Sequence, residues 1–194
     1  MQLRPLDARS VRLAAEWLAR PENNRWLDFG RGVRIVTAPI LTLMNKHDLH
    51  ALRVYTPDDS DSPIGIVGLS EISAVHKTAS LWYVLGDKRF GGRGYTVRAA
   101  AGMLALGFET LELRAVQAWA VEANAPSITV LQRTGFKLVG RQRKCHEIDG
   151  ILHDRLLFDL LRAEYQPSSE WQHPTVTASN TSEIRTSASL PANA

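Results

Sequence analysis

Between Lys88 and Leu104 the chain reads KRFGGRGYTVRAAAGML, so Gly91, Gly92 and Gly94 stand among Lys88, Arg89 and Arg93, directly before an alanine-rich amphipathic run. Glycine lets main-chain N–H groups come close to a ligand, and the first turn of a helix carries unpaired donors at the positive end of its dipole. Together these features suit an anion such as a pyrophosphate, held on amides with arginine countercharge. Two familiar phosphate loops do not fit. A dinucleotide fingerprint begun at Gly92 would need a glycine where Val97 stands, and the segment has no Gly-Lys pair for a Walker loop. A glycine-rich turn that only joins strand to helix accounts for the segment equally well.

Three further residues carry possible chemistry. Asn124 and Ser127 open NAPSITVLQRTG (124–135), read as a short helix with Pro126 in its first turn and Gly135 as its stop. Capping alone explains both side chains. Glu71 shares a strand face with Val67 and Leu69, and a carboxyl among apolar neighbours has a raised pKa suited to taking a proton near neutrality. Glu122 and His76 compete for that role, and a water chain can replace all three. Cys145-His146-Glu147 has no partner ligands elsewhere, whereas structural zinc takes about four, so no metal is expected.

These residues must be positioned by alternating elements. Leu3 to Leu6 reads as a strand, and Ser10 as the cap of a helix carrying Val11, Ala14, Trp17 and Leu18. A second helix carries Ile40, Leu41, Leu43 and Met44. Extended runs follow at 50–56, 63–73 and 79–86, then the helix after the glycines and the apolar strand 114–122. That strand, helix and strand imply a parallel crossover. Asp149-Gly150 joins two final strands in a hairpin. The fold class is therefore α/β, with a mixed and mostly antiparallel sheet, a central parallel pair and flanking helices. The folded domain covers 1–165; the Ser/Thr-rich stretch 166–194 has too little apolar surface to offset chain entropy and is expected to be a disordered tail.

Bulk properties narrow the classes. The 194 residues are 44% hydrophobic and 22% charged, with a net charge of +3. This is ordinary for one globular domain, and too weakly basic to argue for nucleic acid. MQLRPLDARS is not a signal peptide, one cysteine forms no internal disulfide, and no uncharged run approaches the ~20 residues that span a bilayer. A cytoplasmic protein, with no membrane or nucleic-acid partner, is expected.

WYVLGDKRFGGRGYTVRAA and VEANAPSITVLQRTGFKLVG, in this order and spacing, resemble the GNAT superfamily of acyl-coenzyme A-dependent N-acetyltransferases over residues 2–164. The closing RQRKCHEIDGILHDRLLFDLLRAEY is similar to the branch that acetylates ribosomal-protein N-termini. The resemblance implies that strands 79–86 and 114–122 splay apart, and that acetyl-CoA lays its pantetheine arm along Tyr83, Val84 and Leu85. Its pyrophosphate would rest on Arg89, Gly91, Gly92, Arg93, Gly94, Tyr95 and Thr96. Asn124 would contact pantetheine or substrate, Ser127 would donate to the leaving sulfur, and Glu71 is favoured as base.

The stretch around Trp26, Asp28 and Phe29 would shape the acceptor pocket, where Asp28 is a candidate partner for an ammonium. Two departures stand out. Gly91 and Thr96 occupy the ends of the loop where a long polar residue and a small one are usual, although the Thr96 hydroxyl suits a phosphate. Leu131 replaces the helix tyrosine that often serves as general acid. The implied activity is direct acetyl transfer to a primary amine, by a monomer or homodimer. A coenzyme A-binding protein without catalysis is the alternative.

Overall fold

The computed structural model describes residues 1–30, 32 and 35–167. The Ser/Thr-rich tail expected at 166–194 lies, from residue 168 onward, outside the described residues. In chain order the elements are β1 (Gln2–Pro5), α1 (Ala8–Ala19), α2 (Pro21–Asn24), α3 (Ala38–Lys46), β2 (Ala51–Thr56), β3 (Gly65–Ser73), β4 (Thr78–Leu85), α4 (Tyr95–Ala105), β5 (Ala115–Val121), α5 (Ala125–Arg133), β6 (Lys137–Ile148) and β7 (Ile151–Leu161).

The strands form one seven-stranded sheet in the order β1-β2-β3-β4-β5-β7-β6, and only β4 and β5 run parallel. This is the mixed α/β architecture expected. Alternation along β4 sends Leu81 and Tyr83 to one face and Trp82 and Val84 to the other. On the first face α4 and α5 bury Met103, Leu104, Phe108 and Leu131 with Leu69 and Val116. On the second, α1 and α3 bury Trp17, Leu18 and Leu41 with Leu52, Ile66 and Val84. Gly86 ends β4 where the Trp17 ring lies so close that an added Cβ would sit 2.0 Å from it.

Two local features differ from expectation. The cap of α1 is Asp7 rather than Ser10: Asp7 Oδ1 accepts the Ser10 amide at 2.7 Å, and Ser10 Oγ accepts the Asp7 amide at 2.8 Å. Ser10 is the return arm of a capping box, which starts the helix earlier and leaves Ser10 buried. Glu71 does not follow the alternation of β3. The register slips between Ser70 (opposite Ser80) and Ser73 (opposite Thr78), and Glu71 takes φ 54°. This bulge turns Glu71 away from the apolar face of Val67 and Leu69 and leaves it exposed. The hairpin is as read, with Asp149 at φ 52° and Gly150 at φ 80°.

Candidate active site

The parallel pair is zipped only where Thr78, Ala79 and Ser80 face Ala115, Val116 and Gln117. Beyond Ser80 the strands separate, because β5 continues its pairing with β7 through Val121 while β4 stays with β3. A cavity of about 1040 Å³ opens in the split, lined by Leu81 to Leu85, Ala118 to Ala120, the start of α4, the start of α5 and the 26–30 segment.

At one end lies the glycine segment. Asp87 caps a single turn, Lys88–Phe90, accepting the Arg89 amide at 3.1 Å, and the Gly91 amide closes onto the Lys88 carbonyl at 3.0 Å. Gly92 and Gly94 then take φ 73° and 77°, and α4 begins with Gly94 as its cap. These left-handed turns aim successive amides into one concavity. Among the described residues, the N–H groups of Gly92, Arg93 and Gly94 have no partner. Gly91, Gly92, Gly94, Tyr95 and Thr96 all line the cavity.

The cations around this loop are not equivalent. Lys88 Nζ turns inward, donating to Asn23 Oδ1 at 2.5 Å and to the Leu85 carbonyl at 2.8 Å. Arg89 is paired with Asp87 at 2.6 Å and lies outside the cavity wall. Arg93 lies over the Phe90 ring at 5.4 Å. The hydroxyl expected to meet phosphate is also engaged. Tyr55 donates to the Val84 carbonyl (3.2 Å), so Thr96 Oγ1, 3.1 Å away, supplies the hydrogen between the two hydroxyls. Thr96 thus offers the loop its amide, not its side chain.

Across the split, Tyr83 donates to the Ser127 carbonyl at 2.9 Å and stands 3.1 Å from Ser127 Oγ. Burial pushes the Tyr83 phenol well above its ordinary pKa. Asn124 caps α5 by accepting the Ser127 amide at 3.3 Å, leaving its NH2 to the cavity it lines.

At the point where the strands unzip, Glu71 lines the cavity and accepts from Ser80 Oγ at 2.8 Å. Its two rivals do not line it. Glu122 is tied to Arg141 and to the Asp154 amide, and His76 sits in the exposed turn before β4.

The residue missed in the sequence is His50. Its Nδ1 is 3.0 Å from Ser70 Oγ, which accepts the Trp82 indole at 2.8 Å. Burial first, and His47 next, hold His50 below its usual pKa, opposed by Glu71. His50 immediately precedes β2, and only the pairing of β2 with β3 reveals that it meets Ser70 beside Glu71.

Asp28 is not open to an ammonium. Its Oδ1 accepts the amides of Gly30 (2.8 Å) and Gly32 (3.1 Å), and its Oδ2 pairs with Arg155 at 2.7 Å. Burial would raise its pKa, but these bonds outweigh it and hold the carboxyl below the ordinary range. Arg155 also donates to His146 Nδ1 and covers the Trp119 ring at 4.1 Å. Among the described residues no cluster of His, Cys, Asp or Glu is placed to hold a metal, and no helix is long and apolar enough to cross a membrane.

Known proteins share this frame. The spermidine N-acetyltransferase of Vibrio cholerae, solved with CoA and spermine, superposes with a TM-score of 0.73 at 20% identity, over 84% of this chain and 96% of that one. Mycobacterium smegmatis RimJ, solved with CoA-disulfide, gives 0.68 at 21% identity, over 84% and 82%. In sequence, the uncharacterized N-acetyltransferase p20 of Bacillus licheniformis is 31% identical over 55% of this chain, and the aligned stretch spans 60% of p20. YdaF of Bacillus subtilis, provisionally named a ribosomal N-acetyltransferase, is 30% identical over 53% of the chain and 55% of its own length. The family model described as an acetyltransferase (GNAT) domain matches residues 1–137, and the chain belongs to that family.

Proposed function

We propose that the protein transfers an acetyl group from acetyl-CoA directly to a primary amine. One observation carries the reading: Gly92 and Gly94, whose amides have no partner among the described residues, line the same cavity as the unzipped edge of β4. An amide concavity at a helix N-terminus suits a pyrophosphate, and a free strand edge suits the amides of a pantetheine arm. The residues present therefore fit the coenzyme, which when bound supplies an activated acetyl thioester.

The chain's own groups have distinct roles. The amides from Gly92 to Thr96 hold the phosphates, with Gly91 and the Arg89 and Arg93 side chains flanking them. Tyr83, Val84 and Leu85 hold the arm along β4, and Asn124 orients it from the other side. Glu71 takes the proton from the acceptor nitrogen, with His50 next to it, and Ser127 gives a proton to the departing sulfur. Direct transfer is the simpler route, because among the described residues the cysteine, Cys145, is exposed on β6 and lies outside the cavity lining. The setting is a reducing, cytoplasmic one.

Calorimetry with acetyl-CoA, followed by thiol release across a panel of amines, tests the reading. Binding with turnover is expected. Absence of acetyl-CoA binding refutes it, and binding without turnover on any amine leaves a coenzyme-binding protein that is not an enzyme.

A further inference from the structure

The wall facing α1 and α3 indicates which amine the site takes. This inference rests on the acetyl-transfer reading. Trp26, Phe29, Ile40, Met44, Trp82 and Trp119 make that wall, and each keeps some surface open to the cavity. Phe29 and Trp82 meet at 5.2 Å and 89°, and the indole bond to Ser70 fixes the Trp82 plane. Ile40 is 46% exposed, an apolar side chain left to water at the cavity rim.

The charges along this wall are nearly all spent. Asp28 is saturated by Arg155 and two amides. Glu22 is exposed and close enough to the Lys88 ammonium to act on it through space. Arg155 covers Trp119 at 4.1 Å, and Arg25 lies over Trp26 at 5.5 Å while also pairing with Asp149. The Trp26 and Trp119 rings thus already hold the protein's own guanidinium groups. Among the described residues Glu71 is the lining carboxylate bonded by a neutral group, the Ser80 hydroxyl, with no ion pair.

We infer that the acceptor is a small monoamine with a flat, uncharged apolar body, its nitrogen at Glu71 and its body against Trp82, Phe29 and Ile40. A polyamine is the wrong shape of charge. Its second ammonium would lie among apolar side chains and the Arg155 guanidinium, where of the two other lining carboxylates Asp28 is saturated and Glu22 lies near the Lys88 ammonium. The fold shared with a spermidine acetyltransferase therefore does not extend to its acceptor.

The test uses the full chain, with calorimetry on acetyl-CoA first and then thiol release with 2-phenylethylamine, tryptamine, 1,4-diaminobutane, spermidine and a short peptide with a free amino terminus. The aromatic monoamines are expected to exceed both polyamines in kcat/KM by about tenfold or more, the scale of one unpaired buried charge. Ile40→Glu, a change at an exposed position, places a carboxylate on the wall and should raise 1,4-diaminobutane relative to 2-phenylethylamine by about tenfold. Spermidine or the peptide turned over as well as the aromatic amines overturns the inference, as does an unchanged ratio in Ile40→Glu. Acetyl-CoA bound with no aromatic amine consumed overturns it while sparing the coenzyme site, and failure of acetyl-CoA to bind takes both down.

Discussion

The Tyr83 hydroxyl stands 2.9 Å from the Ser127 carbonyl and 3.1 Å from Ser127 Oγ, bridging the two sides of the split sheet. A phenol has one hydrogen. Given to the carbonyl, it leaves the phenol oxygen as acceptor for the Ser127 hydroxyl, whose hydrogen turns from the phenol to reach a departing sulfur. The first turn of α5, where family members often rely on a tyrosine one turn further on, is here organised by a tyrosine from β4.

Removing either member should separate proton delivery from orientation. Ser127→Ala is expected to lower kcat by about 100-fold, the low end of the usual range for general acid–base groups. Tyr83→Phe keeps the ring and loses one hydrogen bond, so about fivefold is expected, with KM for acetyl-CoA nearly unchanged. Stopped-flow thiol release reads both. A wild-type kcat in Ser127→Ala would remove Ser127 from the chemistry.

Gly94 and Gly150 form a natural control pair, since both have positive φ (77° and 80°) and neither has an atom within 4 Å of an added Cβ. Alanine at either should cost about 1 kcal/mol of stability through the left-handed backbone alone. Only Gly94→Ala puts a methyl beside the partnerless amides, so it alone should weaken acetyl-CoA binding, by about tenfold. Calorimetry with matched thermal melts decides; equal affinities in the two variants would move the phosphates elsewhere.

What was legible in the sequence divides along physical lines. Periodicity and turn chemistry act locally, so the elements, the Asp149-Gly150 hairpin and the glycine loop could be read directly. The parallel pair followed from element order. Local patterning could not show the bulge at Glu71, because strict alternation groups Glu71 with Val67 and Leu69 while one extra residue redirects it. His50, Arg155 and Tyr83 were illegible as a set: each acquires its partner from an element 9 to 44 positions away or more, and only pairing brings them together. The fate of polar side chains was equally hidden, since Lys88 and Thr96 sit in the loop by sequence but bond into the protein.

The titration of His50 should respond to the Glu71 charge. Burial holds His50 below 6.5, and Glu71 pulls the other way. Its NMR titration midpoint is expected below that value, and Glu71→Gln should lower it further by removing the favourable charge. A His whose folded pKa is depressed contributes stability above its unfolded pKa and loses it as pH falls through the folded one. Stability should therefore decline as pH drops below about 6.5, the unperturbed value, and less so in His50→Gln. A midpoint that rises in Glu71→Gln would contradict the arrangement.

The Asp28–Arg155 pair makes the opposite wall depend on acid. Both side chains are 16% exposed, so the pair is shielded but not dry. Asp28→Asn leaves the guanidinium without its countercharge and should cost about 2 kcal/mol at neutral pH, below the roughly 3–5 kcal/mol seen for fully buried pairs. Because the folded pKa of Asp28 lies below the reference 3.8, its contribution is complete above that value and is lost as pH falls through the folded pKa. The difference in denaturation midpoint between wild type and Asp28→Asn should then shrink steadily as pH falls below about 4, the ordinary aspartate value. A gap that stays constant to the acid limit would mean that the loop around Gly30 and Gly32, rather than the charge pair, is what Asp28 holds in place.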